Sequence, residues 1–566
     1  MNLHQKAKPV YWQSLEALNN DAATLEAKHH EFKAGVTDEF DINEMSGISR
    51  RRFLAAMGAS AAFALASCKN YVGKRKNGEI YTYNEHPVDV VIGRPNYYAS
   101  NVRTRGSVRS ALVTAREGRP VFIGPNKAHP TDAYSLNSHY QAQIMGLYDP
   151  ARLKVPQKSG ADTTWANADG EIIQALQAAA SGNQQIAVMA PAVYSPTTAK
   201  ALGDFSKQYP STKIYSHALH TEATRIRAWE KSHGGNLPTI HWDKADVILA
   251  LESDFLGVES PAGAEYGFAS RRDVMSDKTF NRLYVAEGNL TVTGMKSDYR
   301  LRVRPDAQME FAMALANALQ GAGVSLPGSL ASQVSGASLE GFAQQHGLST
   351  MVLKHLVNDL TKAKGKALVY AGQRASESMH ILVNAINDAL GASSLYDFAQ
   401  THSQEVAFAT PQEMNTLIQD MAAGNVAVMI HWNTNPVYEL SSLKYGDALA
   451  KVPVSVSLTT ELNETAKAST FALPIHHDLE SWGDAVTQAG IYTLQQPVIA
   501  PLHNSRQAEG VALTWAQGDS AQYNEKMYYN YLKKAWQDGV YRKSNALVDF
   551  NGYWQSALHN GFVKVK

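Results

Sequence analysis

Short apolar runs exchange with amphipathic stretches along most of the chain after residue 180, and this exchange constrains the fold more than any other feature. Ile186 to Ala190 reads as a strand, Thr197 to Gln208 as a helix and Lys213 to Tyr215 as a short strand. A helix is expected over His220 to Lys231, buried strands over Val247 to Leu251 and Leu283 to Ala286, and an edge over Leu301 to Val303 before the helix Met309 to Leu319. Residues 321–347, rich in Gly, Ser and Ala, read as a connector with at most one short helix. A second series follows, with strands at Ala367 to Ala371, Ala427 to Ile430, Val454 to Leu458 and Thr470 to Leu473, and helices at Met379 to Leu390 and Pro411 to Ala423. Strands that are apolar on both faces and alternate with helices predict an α/β fold: two doubly wound, mostly parallel sheets covered by helices. The expected division is an extension and export signal over 1–68, an irregular first part of the body over 69–180, α/β domains over 181–320 and 348–566, and the connector 321–347. The last domain ends in aromatic-rich helices around Tyr523, Tyr528, Trp536 and Trp554, a pattern that belongs to packing.

The N-terminal stretch has a different character. Ser49-Arg50-Arg51-Arg52-Phe53-Leu54 precedes an uncharged run that ends at Ser67, followed by Cys68. A basic start, an apolar middle and a small-residue boundary are the parts of an export signal. Arg50 and Arg51, with Phe53 and Leu54 behind them, point to the twin-arginine route. Leu65-Ala66-Ser67-Cys68 resembles a lipobox, in which the cysteine is acylated. The run is too short for a transmembrane helix, which needs about 20 apolar residues. The expected location is therefore the periplasmic face of a bacterial inner membrane, with a lipid anchor at Cys68. Upstream, Tyr11, Trp12, Leu15 and Leu18 repeat at helical spacing. Residues 69–105 read as extended or irregular.

Cys68 is the only cysteine in 566 residues. One thiol makes no internal disulfide, no thiolate-held iron–sulfur cluster and no Cys-based zinc site. Lys plus Arg and Asp plus Glu both number 52, and the missing basic excess argues against nucleic acid as a partner. Dinucleotide and phosphate-loop fingerprints are missing, as are zinc-protease and nucleophile-elbow motifs. His476-His477, beside Asp478 and Glu480, resembles a ligand group, but adjacent histidines on extended chain face opposite ways. His217 and His220 are spaced to share a helix face, with no third ligand nearby.

Several other segments do not read as filler. Asn433-Thr434-Asn435-Pro436 follows a buried strand, at the end where open α/β sheets bind ligands. Asn463-Glu464-Thr465-Ala466, Phe471-Ala472-Leu473-Pro474, Leu479-Glu480-Ser481-Trp482-Gly483 and Gln495-Gln496-Pro497 come after it in order. This series resembles the molybdopterin oxidoreductases of the dimethyl sulfoxide reductase type, as do Gly118 to Asn126, Leu147-Tyr148-Asp149-Pro150-Ala151-Arg152-Leu153 and Ala245 to Leu249. Tyr11 to Glu16, Gly93 to Tyr98 and Glu287-Gly288-Asn289-Leu290-Thr291-Val292-Thr293-Gly294 look like the molybdopterin-oxidoreductase-like subunit of alternative complex III, a bacterial membrane assembly that oxidises quinol.

The resemblance implies a pterin-nucleotide pocket, if one survives, at Asn433, Asn435, Glu464, Thr465 and Glu480. It also implies partners: an iron–sulfur (ferredoxin-like) subunit, an integral-membrane quinol-binding subunit and haem c subunits. No cysteine lies in 97–124, where family members with a cluster place its ligands, and no serine stands out as a molybdenum ligand. The β-rich closing domain and ferredoxin-like part of longer relatives are not expected in this chain. The first expectation is a cofactor-free, non-catalytic scaffold with no catalytic or metal-binding residue. The alternative is an enzyme holding molybdenum on molybdopterin guanine dinucleotide without a cysteine ligand.

Overall fold

The computed structural model describes residues 93–565 apart from 135, 274 and 276–279, together with the isolated positions 19, 22 and 91. The chain divides into the units Met1–Glu79 and Ile80–Lys566, and everything below concerns the second. The export residues Arg50, Arg51, Phe53, Leu54 and Cys68, and the stripe Tyr11 to Leu18, lie outside the described residues.

The body opens with an antiparallel meander, β1 (Asn96–Arg103), β2 (Val108–Arg116) and β3 (Arg119–Pro125). The hairpin β4 (Gln157–Lys158) and β5 (Ala161–Asp162) leads to β6 (Gln185–Ala190) and β7 (Thr212–Ser216). Next come β8 (Pro238–Ile240), β9 (Val247–Leu251), β10 (Arg282–Glu287), β11 (Tyr299–Arg302), β12 (Ala367–Ala371) and β13 (Tyr396–Thr401). The series closes with β14 (Val426–Trp432), β15 (Val454–Thr459), β16 (Phe471–Pro474), β17 (Gly483–Gln488), β18 (Ile491–Gln495) and β19 (Phe562–Lys564).

Two parallel-rich sheets dominate. One has four parallel strands in the order β11-β10-β9-β12; the other has seven, β5-β4-β16-β15-β14-β6-β7, antiparallel only at the β4–β5 edge. Central strands such as β6, β9, β12 and β14 are buried on both faces and read as near-continuous apolar runs, whereas the edge strand β11 alternates exposed arginines with buried Leu301 and β15 alternates Val with buried Ser. In β9, Val247, Leu249 and Leu251 enter the core under helices Gln308–Gly321, Thr350–Lys362 and Glu377–Ala389. Ile248 and Ala250 face the opposite core with Trp242, Phe255 and Tyr370. In the larger sheet Val188 and Ile430 meet helices Trp165–Ser181 and Pro196–Gln208, while Met189 and Met429 meet helix Pro411–Ala422. Burying each such side chain contributes roughly 1.5–3 kcal/mol. The helices start where side chains cap them: Thr164, Ser195 before Pro196, Ser376, and Thr410 in a capping box with Glu413.

The sheets do not follow the linear order of the chain. The stretch 181–320 gives β6 and β7 to the larger sheet and β9, β10 and β11 to the smaller, and 348–566 gives β12 to the smaller and β14, β15 and β16 to the larger. The connector holds two helices, Gly328–Val334 and Leu339–His346, whose Val334, Phe342 and Ala343 reach the small-sheet core. Strand β1 lies in a stretch that reads as irregular. Its Ser100 and Asn101 are buried and satisfied by bonds to Gln496 O and Thr493 Oγ1, so hydrophobic alternation does not mark it. The helix read from His220 begins at Ala223.

Candidate functional site

Open α/β sheets bind ligands at the strand C-termini where the strand order reverses. Each sheet here has one such point. In the larger sheet it lies between β6 and β14, and in the smaller between β9 and β12.

At the first point β14 is followed by Asn433, whose φ of 49° is left-handed, a conformation that Asn tolerates. Its N–H donates to Leu458 O at 2.7 Å. Asn435 binds back into the next loop. Its Oδ1 accepts from Thr465 N (3.1 Å) and Thr465 Oγ1 (2.9 Å), and its Nδ2 donates to Glu464 Oε2 (2.7 Å). Thr465 Oγ1 also accepts from Val437 N at 3.0 Å. Glu464 is exposed, and the bond from Asn435 holds its carboxyl below the usual range. Three of the expected pocket residues are thus brought together, with their polar groups largely spent on one another. Next to them Glu439 takes Arg105 Nη1 at 2.9 Å and lies 3.4 Å from His217 Nε2. Burial opposes its charge, but His217 and Arg105 hold its pKa below normal.

Glu480 lies elsewhere, in a buried pair with Arg152. Its Oε1 accepts from Arg152 Nη1 (3.0 Å) and Leu502 N (2.9 Å), and its Oε2 from Arg152 Nη2 (2.7 Å) and His477 N (2.8 Å). A carboxylate offers about four lone-pair sites, and all are filled. Burial works against the charged form, yet Arg152 keeps the pKa low. Arg152 and Glu480 belong to two separately recognised motifs, and the fold joins them. His477 is the cap of a short turn, its Nδ1 accepting from Leu479 N, and His476 Nε2 lies 3.2 Å from Ser505 O. Neither shares a ligand with the other. Among the described residues no group of three His, Cys, Asp or Glu is placed to hold a metal ion. His217 and His220 precede the helix instead of sharing its face.

The second switch point opens on a cavity of about 130 Å³. Its charged lining was not singled out in the sequence. Glu222 and Arg225, one turn apart, pair at 2.9 Å, and Glu222 Oε1 accepts from Gln373 Nε2 at 2.8 Å. Arg225 also donates to Tyr370 Oη and Ala371 O, with its guanidinium over the Tyr370 ring. Glu259 accepts from Ser253 Oγ and Gln373 N, and burial pushes its pKa up to about 7 against the pull of Ser253 and Arg225. Across the space stand Arg109, donating to Ser260 O, and Tyr194, whose hydroxyl burial raises above its ordinary pKa. His402 Nε2 and Gln488 Oε1, both buried in this wall, have no hydrogen-bond partner among the described residues. At Gly372 a Cβ would collide with the Glu252 carbonyl, so only glycine lets β12 continue past β9 here. The i,i+3 spacing of Glu222 and Arg225 was the one available signal for this cluster.

The chain superposes on acetylene hydratase from Pelobacter acetylenicus with a TM-score of 0.62, covering 82% of this chain and 74% of that one at 12% identity. The fold is that of the molybdopterin oxidoreductases. A curated relative, the menaquinone reductase molybdopterin-binding-like subunit of Nitratidesulfovibrio vulgaris, is 27% identical over 502 residues, 81% of this chain and 70% of its own length. No family model matches the chain.

A molybdopterin-oxidoreductase fold implies a pterin dinucleotide, and the residues at neither switch point fit one. At the first, the Asn435, Glu464 and Thr465 groups that would face the nucleotide bind each other, and the more distant Glu480 has no lone pair left. At the second, the space of about 130 Å³ falls short of the roughly 300–1,000 Å³ of ordinary ligand sites. No described helix is long and apolar enough to cross a membrane.

Proposed function

We propose that this chain is a cofactor-free structural subunit of a respiratory quinone-linked membrane oxidoreductase, related to the alternative complex III and menaquinone reductase assemblies. It is exported by the twin-arginine route and held at the periplasmic face through Cys68. It supports an iron–sulfur subunit, haem c subunits and an integral-membrane quinone-binding subunit, which carry the electrons. The observation that carries this reading is the filled state of Glu480, the carboxylate at the family's pterin motif. The sequence agrees, since its one cysteine sits at the lipobox. The relative's name, a molybdopterin-binding-like subunit of a menaquinone reductase, supports the respiratory setting.

Metal analysis of the assembly purified from membranes tests this. The expected result is less than about 0.1 molybdenum or tungsten per chain, together with co-purifying haem and iron–sulfur proteins. Stoichiometric molybdenum bound with a pterin nucleotide would replace the scaffold reading by a molybdopterin enzyme with a non-cysteine ligand.

A further inference from the structure

The free end of the N-terminal meander carries an apolar surface that nothing in the described chain covers. Tyr97 on β1 stands opposite Thr114 on β2, and Thr114 opposite Phe122 on β3, so both rings emerge on one face. Val121, beside Phe122, is exposed at a register shift of the edge strand. On the other side the short helix Gln143–Leu147 presents Met145, which is 72% exposed, and Tyr148 follows it, tied to β3 by a 2.9 Å bond to Pro120 O. Five large apolar side chains therefore surround one corner. Arg94, Arg116 and Arg119 flank it and form no ion pair among the described residues, while Glu117 in the β2–β3 turn and Asp149 after Tyr148 are the carboxylates beside these residues in the chain.

We infer that this corner rests on the anionic lipid surface to which the chain is tethered. The inference builds on the Cys68 anchor. Cys68 precedes the first residue of β1 by 28 positions in the sequence. Lys69, Lys74, Arg75 and Lys76 lie between the two in the sequence, so basic residues stand on the Cys68 side of the chain as they do at the corner. One acyl chain binds a membrane only marginally, at about 10⁴ M⁻¹, and a further chain or a surface contact strengthens the attachment. Tyr and Phe between arginines are the side chains that settle at a headgroup boundary, with rings at the acyl edge and guanidinium groups on phosphates.

Methionine oxidation reads the contact in the intact chain. The full-length protein, purified without its partners, is bound to phosphatidylglycerol–phosphatidylethanolamine vesicles, and the sedimented fraction is treated with peroxide. Met145 is expected to oxidise at least about fivefold more slowly on vesicles than in detergent-free solution, while Met351, on the distant helix Thr350–Lys362, keeps its rate. Phe122→Ser with Met145→Ser is expected to lower the vesicle-bound fraction of a Cys68→Ala protein, with its thermal melt unchanged. Equal Met145 rates in the two states would overturn the inference, as would protection that appears only with the other subunits present, which would assign the face to a protein partner. Molybdenum content does not enter this readout, so the scaffold reading and the lipid contact fail separately.

Discussion

At the end of β14 the loops close on themselves, Asn435 binding Glu464 and Thr465, and at a separate place Arg152 fills Glu480. At the ends of β9 and β12 they stay apart and leave a small polar cavity walled by Glu222, Arg225, Glu259, His402 and Gln488. The two places hold the same position in their sheets. What separates them is where the polar groups are spent: on one another at the first, toward a small cavity at the second. One set of loops thus braces itself, and the other lines a pocket of charged groups.

The sharpest test of the closed end removes one side of its salt bridge. Arg152→Ala leaves Glu480 buried and unpaired, and is expected to cost about 3–5 kcal/mol in urea unfolding. Replacing both, Arg152→Met with Glu480→Leu, should restore much of that loss, because an apolar pair carries no unpaired charge. A single substitution that cost less than about 1 kcal/mol would mean that the carboxylate is free for a ligand after all.

The open end should show in the pH dependence of stability. Glu259 titrates near 7 in the folded protein and near its ordinary 4.5 in the unfolded chain, so the folded state holds its proton more tightly. Its contribution is neutral below about pH 4.5, becomes unfavourable as pH rises toward 7, and levels off above. Glu259→Gln, which keeps the bonding shape and removes the charge, should stabilise the protein by roughly 2–3 kcal/mol at pH 8 and leave it unchanged at pH 4. An identical pH profile for both proteins would show that Arg225 and Ser253 already hold the carboxylate ionised.

Smaller effects separate the members of the Asn435 network. Asn435→Ala should cost about 1–2 kcal/mol, since it strips three bonds from a partly buried turn. Glu464→Gln lies on the exposed side of the same contact, and its melting temperature should match the parent's. A large loss there would place Glu464 in a structural role that its exposure does not suggest.

Much of the architecture was legible because hydrophobic burial wrote it. Val247 to Leu251 and Ala367 to Ala371 are strands with the bounds read from the sequence, since both faces of each are covered and no polar residue interrupts them. The pairing of Arg152 with Glu480 was not legible: the motifs were visible separately, and only the folded chain brings residues 328 positions apart together. Strand β1 escaped because buried Ser100 and Asn101 take their partners from β18 and the segment after it. The cavity escaped for a similar reason. Glu222, Glu259 and Gln373 come from three distant loops, and their meaning lies in the desolvation they share.

The interleaving of the larger sheet has a consequence for synthesis. Strands β6 and β7 emerge from the ribosome more than 200 residues before β14, which pairs with β6, so the nascent chain carries an open parallel edge until β14 is made. Pairing across such separations is slow to nucleate. Any product that stops before residue 426 would keep that edge unpaired, and truncated chains are expected to aggregate more readily than the whole one.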